Sequence, residues 1–331
     1  LTAATGELAR RGFVVTRGHT IETLACATDI VFDKTGTLTE GELRLVGVEP
    51  FGALDTARCL ALAGALERTS EHPLARSLTA RAEAQGAPLR ATEITAEAGA
   101  GMEGTIDGIR YRVGSPAYCG CADDGDGTSV MLAANGVALA RFSFDDPIRS
   151  DAHVIVQTLL RAGCRVHVLS GDAAPAVHAV ADALGIALRQ ARATPAGKQA
   201  YLRDLQLAGR VVAMVGDGVN DAPVLAQADV SVAMASGAQL AQARADAVLL
   251  SNRLADLADA IALSRQTMRI VRQNLAWATV YNLIAIPAAI AGWVTPWIAG
   301  VGMSGSSLAV VLNALRLRRP DRGSRSGSGR E

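Results

Sequence analysis

A chain of 331 residues is long enough for two or three separate cores. Lys+Arg and Asp+Glu balance at 32 each, which argues against a nucleic-acid-binding surface. The five scattered cysteines fit a reducing compartment better than a disulfide framework.

The chain opens on Leu1 with no signal peptide, so a piece of a longer protein is an open reading. Residues 1–28 are short, mixed and Arg-containing; they are assigned to a segment following a missing membrane helix. Asp29–Asp33 is a compact apolar run that predicts a buried strand, followed by a tight Thr-Gly-Thr turn. Between residues 45 and 140 the character changes: helical patterns over Asp55–Glu67 and Pro73–Gln85 give way to short glycine-punctuated strands. Asp107-Gly108 signals a hairpin within Ile106–Val113, and Ser129–Leu132 and Gly136–Phe144 are further strands. From Asp145 to Leu250 strands (Arg165–Leu169, Val211–Val215, Val230–Ala233) alternate with helices (Asp151–Ala162, Pro175–Leu184, Ala196–Leu207). That alternation predicts a parallel α/β sheet. The strand at 29–33 belongs to it, which makes 45–140 an α+β insertion between 29–44 and 141–262.

Residues 263–318 are predicted to form a membrane hairpin with spans near 275–293 and 298–317. Arg265, Arg269 and Arg272 precede the first span, and Arg316, Arg318 and Arg319 follow the second. Both charged flanks therefore fall on one, cytoplasmic, side. Residues 319–331 are predicted to be a disordered tail.

The chemistry concentrates at Asp33-Lys34-Thr35-Gly36-Thr37-Leu38-Thr39. A carboxylate at the C-terminal end of a strand, over a loop of free N–H groups, can attack phosphorus and form an acyl phosphate. This heptapeptide is similar to the phosphorylation motif of P-type ATPases, within the haloacid-dehalogenase-like fold. Three more segments resemble that family in the same order: Ser170-Gly171-Asp172, Thr194-Pro-Ala-Gly-Lys198, and Gly216-Asp217-Gly-Val-Asn220-Asp221-Ala-Pro223. The resemblance covers nearly the whole chain and is to the heavy-metal, copper(I)-transporting type. It implies Asp33 as the phosphorylated residue, Ser170 as the hydroxyl holding the phosphoryl group, and Lys198 as its neutralising charge. It further implies Mg²⁺ at Asp33, the Thr35 carbonyl and Asp217, with Asn220 and Asp221 nearby. Hard oxygens suit that ion. Lys34 and Lys198 are the chain's only lysines, and both fall in phosphate motifs. Many phosphatases of this fold carry a second Asp where this chain has Thr35. Without it the acyl phosphate is expected to persist, as a pump requires. Thr5-Gly6-Glu7 is read as a chance match to the actuator motif, so the actuator domain and earlier membrane helices are expected to lie on a missing N-terminal half.

Ser70-Glu71-His72-Pro73 and Gly99-Ala-Gly101 resemble the nucleotide motifs of heavy-metal pumps. The resemblance implies that His72 orients adenine, Glu71 assists, and the glycines admit backbone to ATP. A dinucleotide fingerprint over Gly99–Gly104 is rejected, because a hairpin pattern follows where a helix is needed. In the apolar segments Tyr281, Asn282, Met303, Ser306 and Ser307 resemble Cu(I)-pump signatures. A thioether with neutral oxygens suits a soft monovalent ion, and no carboxylate is present for a divalent one. The expected function is the C-terminal catalytic part of an ATP-driven Cu(I) export pump, unable to transport alone. It is expected in a bacterial inner membrane with cytoplasmic catalytic domains. ATP, Cu(I), membrane lipid and a copper chaperone are the expected partners. A Zn²⁺/Cd²⁺ pump or a membrane-anchored phosphatase of the same fold are the alternatives.

Overall fold

The structure, a computed structural model, describes residues 1–86, 89–97, 99–121, 129–217, 222–237 and 239–318. The chain begins with α1 (Thr2–Arg10), β1 (Phe13–Val15), α2 (Thr20–Cys26) and β2 (Asp29–Asp33). There follow β3 (Arg44–Pro50), α3 (Thr56–Glu67), α4 (Pro73–Glu83), β4 (Thr92–Glu97), β5 (Gly101–Ile106), β6 (Ile109–Gly114), β7 (Ser129–Ala134) and β8 (Val137–Asp145). Next come α5 (Ala152–Arg161), β9 (Arg165–Leu169), α6 (Ala174–Leu184), β10 (Leu188–Gln190), α7 (Pro195–Leu207), β11 (Val212–Gly216), α8 (Ala222–Gln227), β12 (Val230–Met234), α9 (Gln239–Arg244) and β13 (Ala247–Leu249). Two long helices, α10 (Ala255–Ile290) and α11 (Pro296–Ala314), close the described chain with a short 3₁₀ turn at Leu315–Arg318.

The first sheet runs in the order β1-β13-β12-β11-β2-β9-β10. Every pairing in it is parallel except β1 with β13. Its central strands are apolar without alternation because both faces are covered. Ile30 and Phe32 face the core that also holds Leu8, Val156 and Ile261, while Val31 faces Leu202, Met214 and Leu225. β2 lies between β11 and β9, so the ends of three neighbouring strands converge on Asp33.

The second sheet is antiparallel, in the order β3-β8-β7-β6-β5-β4, and packs on α3 and α4. Asp55 caps α3 by accepting the Arg58 N–H at 2.7 Å. The Asp107-Gly108 turn has φ of 52° and 77°, both left-handed, as a two-residue hairpin of the favoured twist requires.

Residues 1–28, set outside the sheet by sequence, contribute to it. β1 is its antiparallel edge, and Ala4, Leu8, Phe13, Ile21 and Leu24 join the main core. Thr16 Oγ1 donates to Ala245 O (2.6 Å) and Thr20 Oγ1 to Asp246 O (3.1 Å), tying this segment to the edge.

The first of the two long helices differs in extent from the expected span. α10 is one continuous helix whose first half is buried against α2 and α5, and its apolar half ends at Ile290 rather than Trp293. The helix runs past Pro287 and ends ahead of the left-handed Gly292. Among the described residues only Pro296–Leu317 is by itself long and apolar enough to cross a bilayer. The two helices nevertheless pair, with Thr295 capping α11 between them. Their polar clasp, absent from the sequence reading, is Asn313 Nδ2 donating to Asn274 Oδ1 at 2.9 Å.

At the N-terminal end of the parallel strands lies a buried polar chain. Asp29 accepts from Thr28 Oγ1 (2.7 Å), from Arg165 Nη2 (2.7 Å) and from His167 Nε2 (2.8 Å). Burial alone would raise the Asp29 carboxyl, but the hydrogen bonds from Thr28, His167 and Arg165 outweigh it and hold the group below its usual range. A carboxylate only accepts, so the His167 proton sits on Nε2, and Nδ1 accepts the Tyr201 O–H at 2.8 Å. Burial pushes the His167 imidazole down, against the pull of Asp29. A folded pKa below the unfolded one means that stability is full above about pH 6.5 and is lost as pH falls below it. The melting temperature is therefore expected to drop between about pH 7 and 5.5, and to drop less in His167→Gln. Equal pH slopes in the two proteins would remove His167 from the account.

Candidate active site

β2 ends at Asp33, which is only 6% exposed. The chain then turns through Lys34–Leu38, with Thr35 extended and Gly36 left-handed at φ 71°. The Thr39 N–H closes this loop on Lys34 O at 3.1 Å. Two residues missed by the sequence reading hold it in place. Asp146 accepts from Thr39 Oγ1 (2.6 Å) and the Gly41 N–H (2.8 Å), and Arg149 Nη2 donates to Gly36 O (2.9 Å). The available signal was the Asp-Pro-Ile-Arg run directly after β8, charged residues at the end of a strand.

Lys198 reaches the carboxylate from α7. Thr194 caps that helix by accepting the Gly197 N–H at 3.1 Å, which sets its first turn. Lys198, 7% exposed, then places Nζ 2.5 Å from Asp33 Oδ1. Lys34 does something different. Its Nζ lies 2.7 Å from Asp172 Oδ2, and Thr35 Oγ1 donates to the same oxygen at 3.3 Å. Asp172 thus joins the loop after β9 to the loop after β2. Ser170, 2% exposed, directly follows β9 and accepts the Asp172 N–H at 3.1 Å. Gly171 lies between the two partners, with only Ala193 O near the place of a side chain.

Asp217, at the end of β11, lies against Gly36. A Cβ on Gly36 would sit 1.7 Å from Asp217 Oδ2, and one on Gly237 would sit 2.3 Å from Asp217 O. The Asp217 carboxylate is thereby held beside the loop that carries Asp33 and Thr35. Two carboxylates and a loop carbonyl are the hard oxygen set that Mg²⁺ takes, so these residues fit that ion. Thr37 Oγ1, in the same loop, is buried with no hydrogen-bond partner among the described residues. Asn220 and Asp221 lie outside the described residues.

In the second unit His72 caps α4: its Nδ1 accepts the Leu74 N–H at 3.3 Å, and Pro73 takes the first helical position. Glu71 and His72 are both exposed. Five residues earlier Glu67 is only 8% exposed, and burial raises its carboxyl, opposed by a hydrogen bond from Ser70. Glu67, the last residue of α3, is a buried acid that the apolar look of that helix hid. Gly99 is left-handed at φ 75° with open space around its Cα. Gly101 is different. A Cβ there would meet Val113 O at 2.2 Å and Gly114 Cα at 2.7 Å, so this glycine lets β5 and β6 approach each other. Gly101→Ala is expected to cost about 1–3 kcal/mol by overpacking against backbone. Chemical denaturation will check it, and an unchanged midpoint would refute the packing role.

The five residues of the long helices divide into two groups. Ser306 Oγ accepts the Trp277 Nε1–H at 3.1 Å, and Tyr281 OH lies 2.9 Å from where a Gly302 Cβ would be, so both face the α10–α11 seam. Asn282, Met303 and Ser307 are exposed on the pair's outer surface.

Residues 30–229 match the haloacid dehalogenase-like hydrolase family. The nitrogen fixation protein FixI of Rhizobium leguminosarum bv. viciae is 42% identical over 337 residues, covering 99% of this chain and 44% of FixI. The probable copper-transporting ATPase SynA of Synechococcus sp. is 40% identical over 334 residues, covering 96% of this chain and 42% of SynA. The crystal structure of a zinc-transporting PIB-type ATPase in the E2.Pi state superposes with a TM-score of 0.85 at 32% identity, over 96% of this chain and 54% of that one. The chain thus spans under half the length of these two curated relatives.

Proposed function

We propose, since the chain belongs to the haloacid dehalogenase-like hydrolases and within them to the P-type ATPases, that it is the C-terminal catalytic part of an ATP-driven Cu(I) export pump. The observation that carries this is the constellation at Asp33: a buried carboxylate ending a central strand, Lys198 at 2.5 Å, and Asp217 packed on Gly36 in the following loop.

An Asp33 oxygen attacks the γ-phosphorus of ATP, the bond to the β,γ-bridging oxygen breaks, and ADP leaves. Phosphoryl transfer of this kind is mostly positioning and charge neutralisation. Lys198 supplies a compact positive charge to the transferring group, a task poorly served by a planar guanidinium. Ser170 Oγ and the loop N–H groups hold its oxygens. Mg²⁺ held by Asp33, the Thr35 carbonyl and Asp217 would neutralise phosphate charge, with Asn220 and Asp221 near it in sequence. The Lys34–Asp172 pair keeps the two phosphate loops in register. Thr35 cannot act as a base, and the acyl phosphate is expected to persist. Glu71, His72, Pro73, Gly99 and Gly101 form the nucleotide unit, Gly101 through its packing.

For the ion, Tyr281, Asn282, Met303, Ser306 and Ser307 are proposed as part of a Cu(I) path. The apolar half of α10 and all of α11 hold no carboxylate, which favours a soft monovalent ion over the zinc of the structural relative. A bacterial inner membrane with the two sheets on the cytoplasmic side fits the arginines flanking the helices. The actuator domain, earlier membrane helices and a copper chaperone are the proposed partners.

The test is labelling with γ-labelled ATP and Mg²⁺. An acid-stable label released by hydroxylamine is expected. Rapid hydrolysis of small phosphate esters without such a label would point instead to a phosphatase.

A further inference from the structure

The polar chain at the start of the parallel strands also reaches the active site, by way of α7. His167 shares a face of β9 with Leu169, two residues on, and Leu169 packs with Leu202 of α7. On that face His167 Nδ1 accepts the Tyr201 O–H at 2.8 Å, and the two rings meet edge to face with centroids 5.8 Å apart. His167 Nε2 donates to Asp29 Oδ1 at 2.8 Å. Asp29, fully buried, is the first residue of β2. Burial, and after it the Asp29 charge, pushes the Tyr201 phenol up, so it keeps the proton it donates.

Lys198 stands one turn before Tyr201. Residues three and four apart share one face of a helix, so Lys198, Tyr201, Leu202 and Leu205 form the sheet-facing side of α7. Leu202 and Leu205 seat the helix by apolar burial, which has no preferred direction. The Tyr201 hydrogen bond fixes both distance and angle. Other polar ties of α7 run to α8: Gln199 and Gln206 donate to Pro223 O (3.0 Å) and Gln227 O (2.9 Å). The contacts therefore close a ring. It runs from Asp33 back along β2 to Asp29, across to His167 on β9, onto α7 at Tyr201, and from Lys198 to Asp33 at 2.5 Å. Every member belongs to the parallel sheet or to α7, so no segment outside this chain is needed to complete it.

We infer that Tyr201, held by His167 and Asp29, is a positioning residue for phosphoryl transfer: it fixes the height and roll of α7, and so the place of the Lys198 ammonium at the Asp33 carboxylate. Tyr201 acts through Lys198 and not on the phosphoryl group itself. The inference rests on the reading of Asp33 as the phosphorylated residue.

The test measures the rate of acid-stable labelling of the full chain, and the ATP concentration that gives half of it, in wild type, Tyr201→Phe, Lys198→Ala and the double variant. Tyr201→Phe keeps the ring against His167 and removes the hydroxyl alone. It is expected to slow labelling about tenfold, less than the roughly 10²-fold of a displacement of about 1 Å, with half-saturating ATP within about twofold of wild type. In the Lys198→Ala background the further loss from Tyr201→Phe is expected to vanish, since the group it positions is gone. A general loosening of the fold would slow both backgrounds by the same factor. That result, or wild-type labelling by Tyr201→Phe, overturns the inference. Should Tyr201→Phe fail to fold, His167→Gln carries the same comparison with the same expectation, since it keeps a donor toward Asp29 and loses the Nδ1 acceptor. Absence of label in wild type would sink the phosphorylation reading itself, a result distinct from an unchanged rate in Tyr201→Phe.

Discussion

Asp33→Asn is expected to abolish the acid-stable label while leaving the fold and ATP binding intact. The amide is nearly isosteric, so the buried site at the end of β2 keeps its packing, but it is no nucleophile toward phosphorus. Asp33 pairs with Lys198 at 2.5 Å in a nearly closed environment, and an asparagine keeps an oxygen there but not the charge. A modest loss of stability should therefore accompany the loss of labelling. Nucleotide binding should hold or tighten, because a carboxylate no longer repels the γ-phosphate. Lys198→Ala should behave differently: labelling persists but slows by about 10²–10³-fold, the usual cost of removing one preorganised charge from a transition state. Full labelling of Asp33→Asn would mean that another residue carries the phosphate and would remove the central claim.

The parallel sheet was legible because its central strands are continuous apolar runs with the motif residues at their ends. Asp29–Asp33 was read to the residue. β1, β10 and β13 were not found, since three residues give no period, and Leu188–Gln190 is more polar than apolar. β4 (Thr92–Glu97) escaped for a related reason: it is an edge strand, almost wholly exposed, and carries no buried face to alternate. The long helices were legible as apolar segments but not in extent. The arginines before residue 275 mark where the exposed half begins, but nothing in the sequence shows that the core-packed stretch from 255 belongs to the same helix.

At the site, motif residues were legible and their partnerships were not. Lys34 and Lys198 look equivalent in sequence, yet one contacts Asp172 and the other Asp33. The difference arises from which strand end each neighbours, a property of sheet order rather than spacing. Asp146 and Arg149 were missed because the loop they hold lies 107 and 113 residues away in sequence, and the charged run after β8 does not say what it contacts. Gly101 was seen, but its reason was not: the atoms that exclude a side chain belong to β6.

Gly36→Ala carries the second large expected effect, and its argument is steric. Gly36 has φ 71°, where an L-residue pays about 1–2 kcal/mol. Its Cβ would also fall 1.7 Å from Asp217 Oδ2. Asp217 cannot retreat freely, since Gly237 already packs against its backbone at a distance no Cβ tolerates. Relief must come from rotating the Asp217 carboxylate away from the loop or from shifting the loop that Asp146 and Arg149 pin. Either movement separates Asp217 from Asp33 by about 1 Å or more, a displacement that can cost about 10²-fold in a positioned reaction. Labelling is therefore expected to slow by about 10²-fold or more and to demand higher Mg²⁺, while the far-ultraviolet circular dichroism stays that of wild type. Asp217→Asn should raise the Mg²⁺ requirement in the same direction without the backbone strain. If Gly36→Ala labels at the wild-type rate and Mg²⁺ dependence, the contact between Asp217 and the loop has no part in the chemistry.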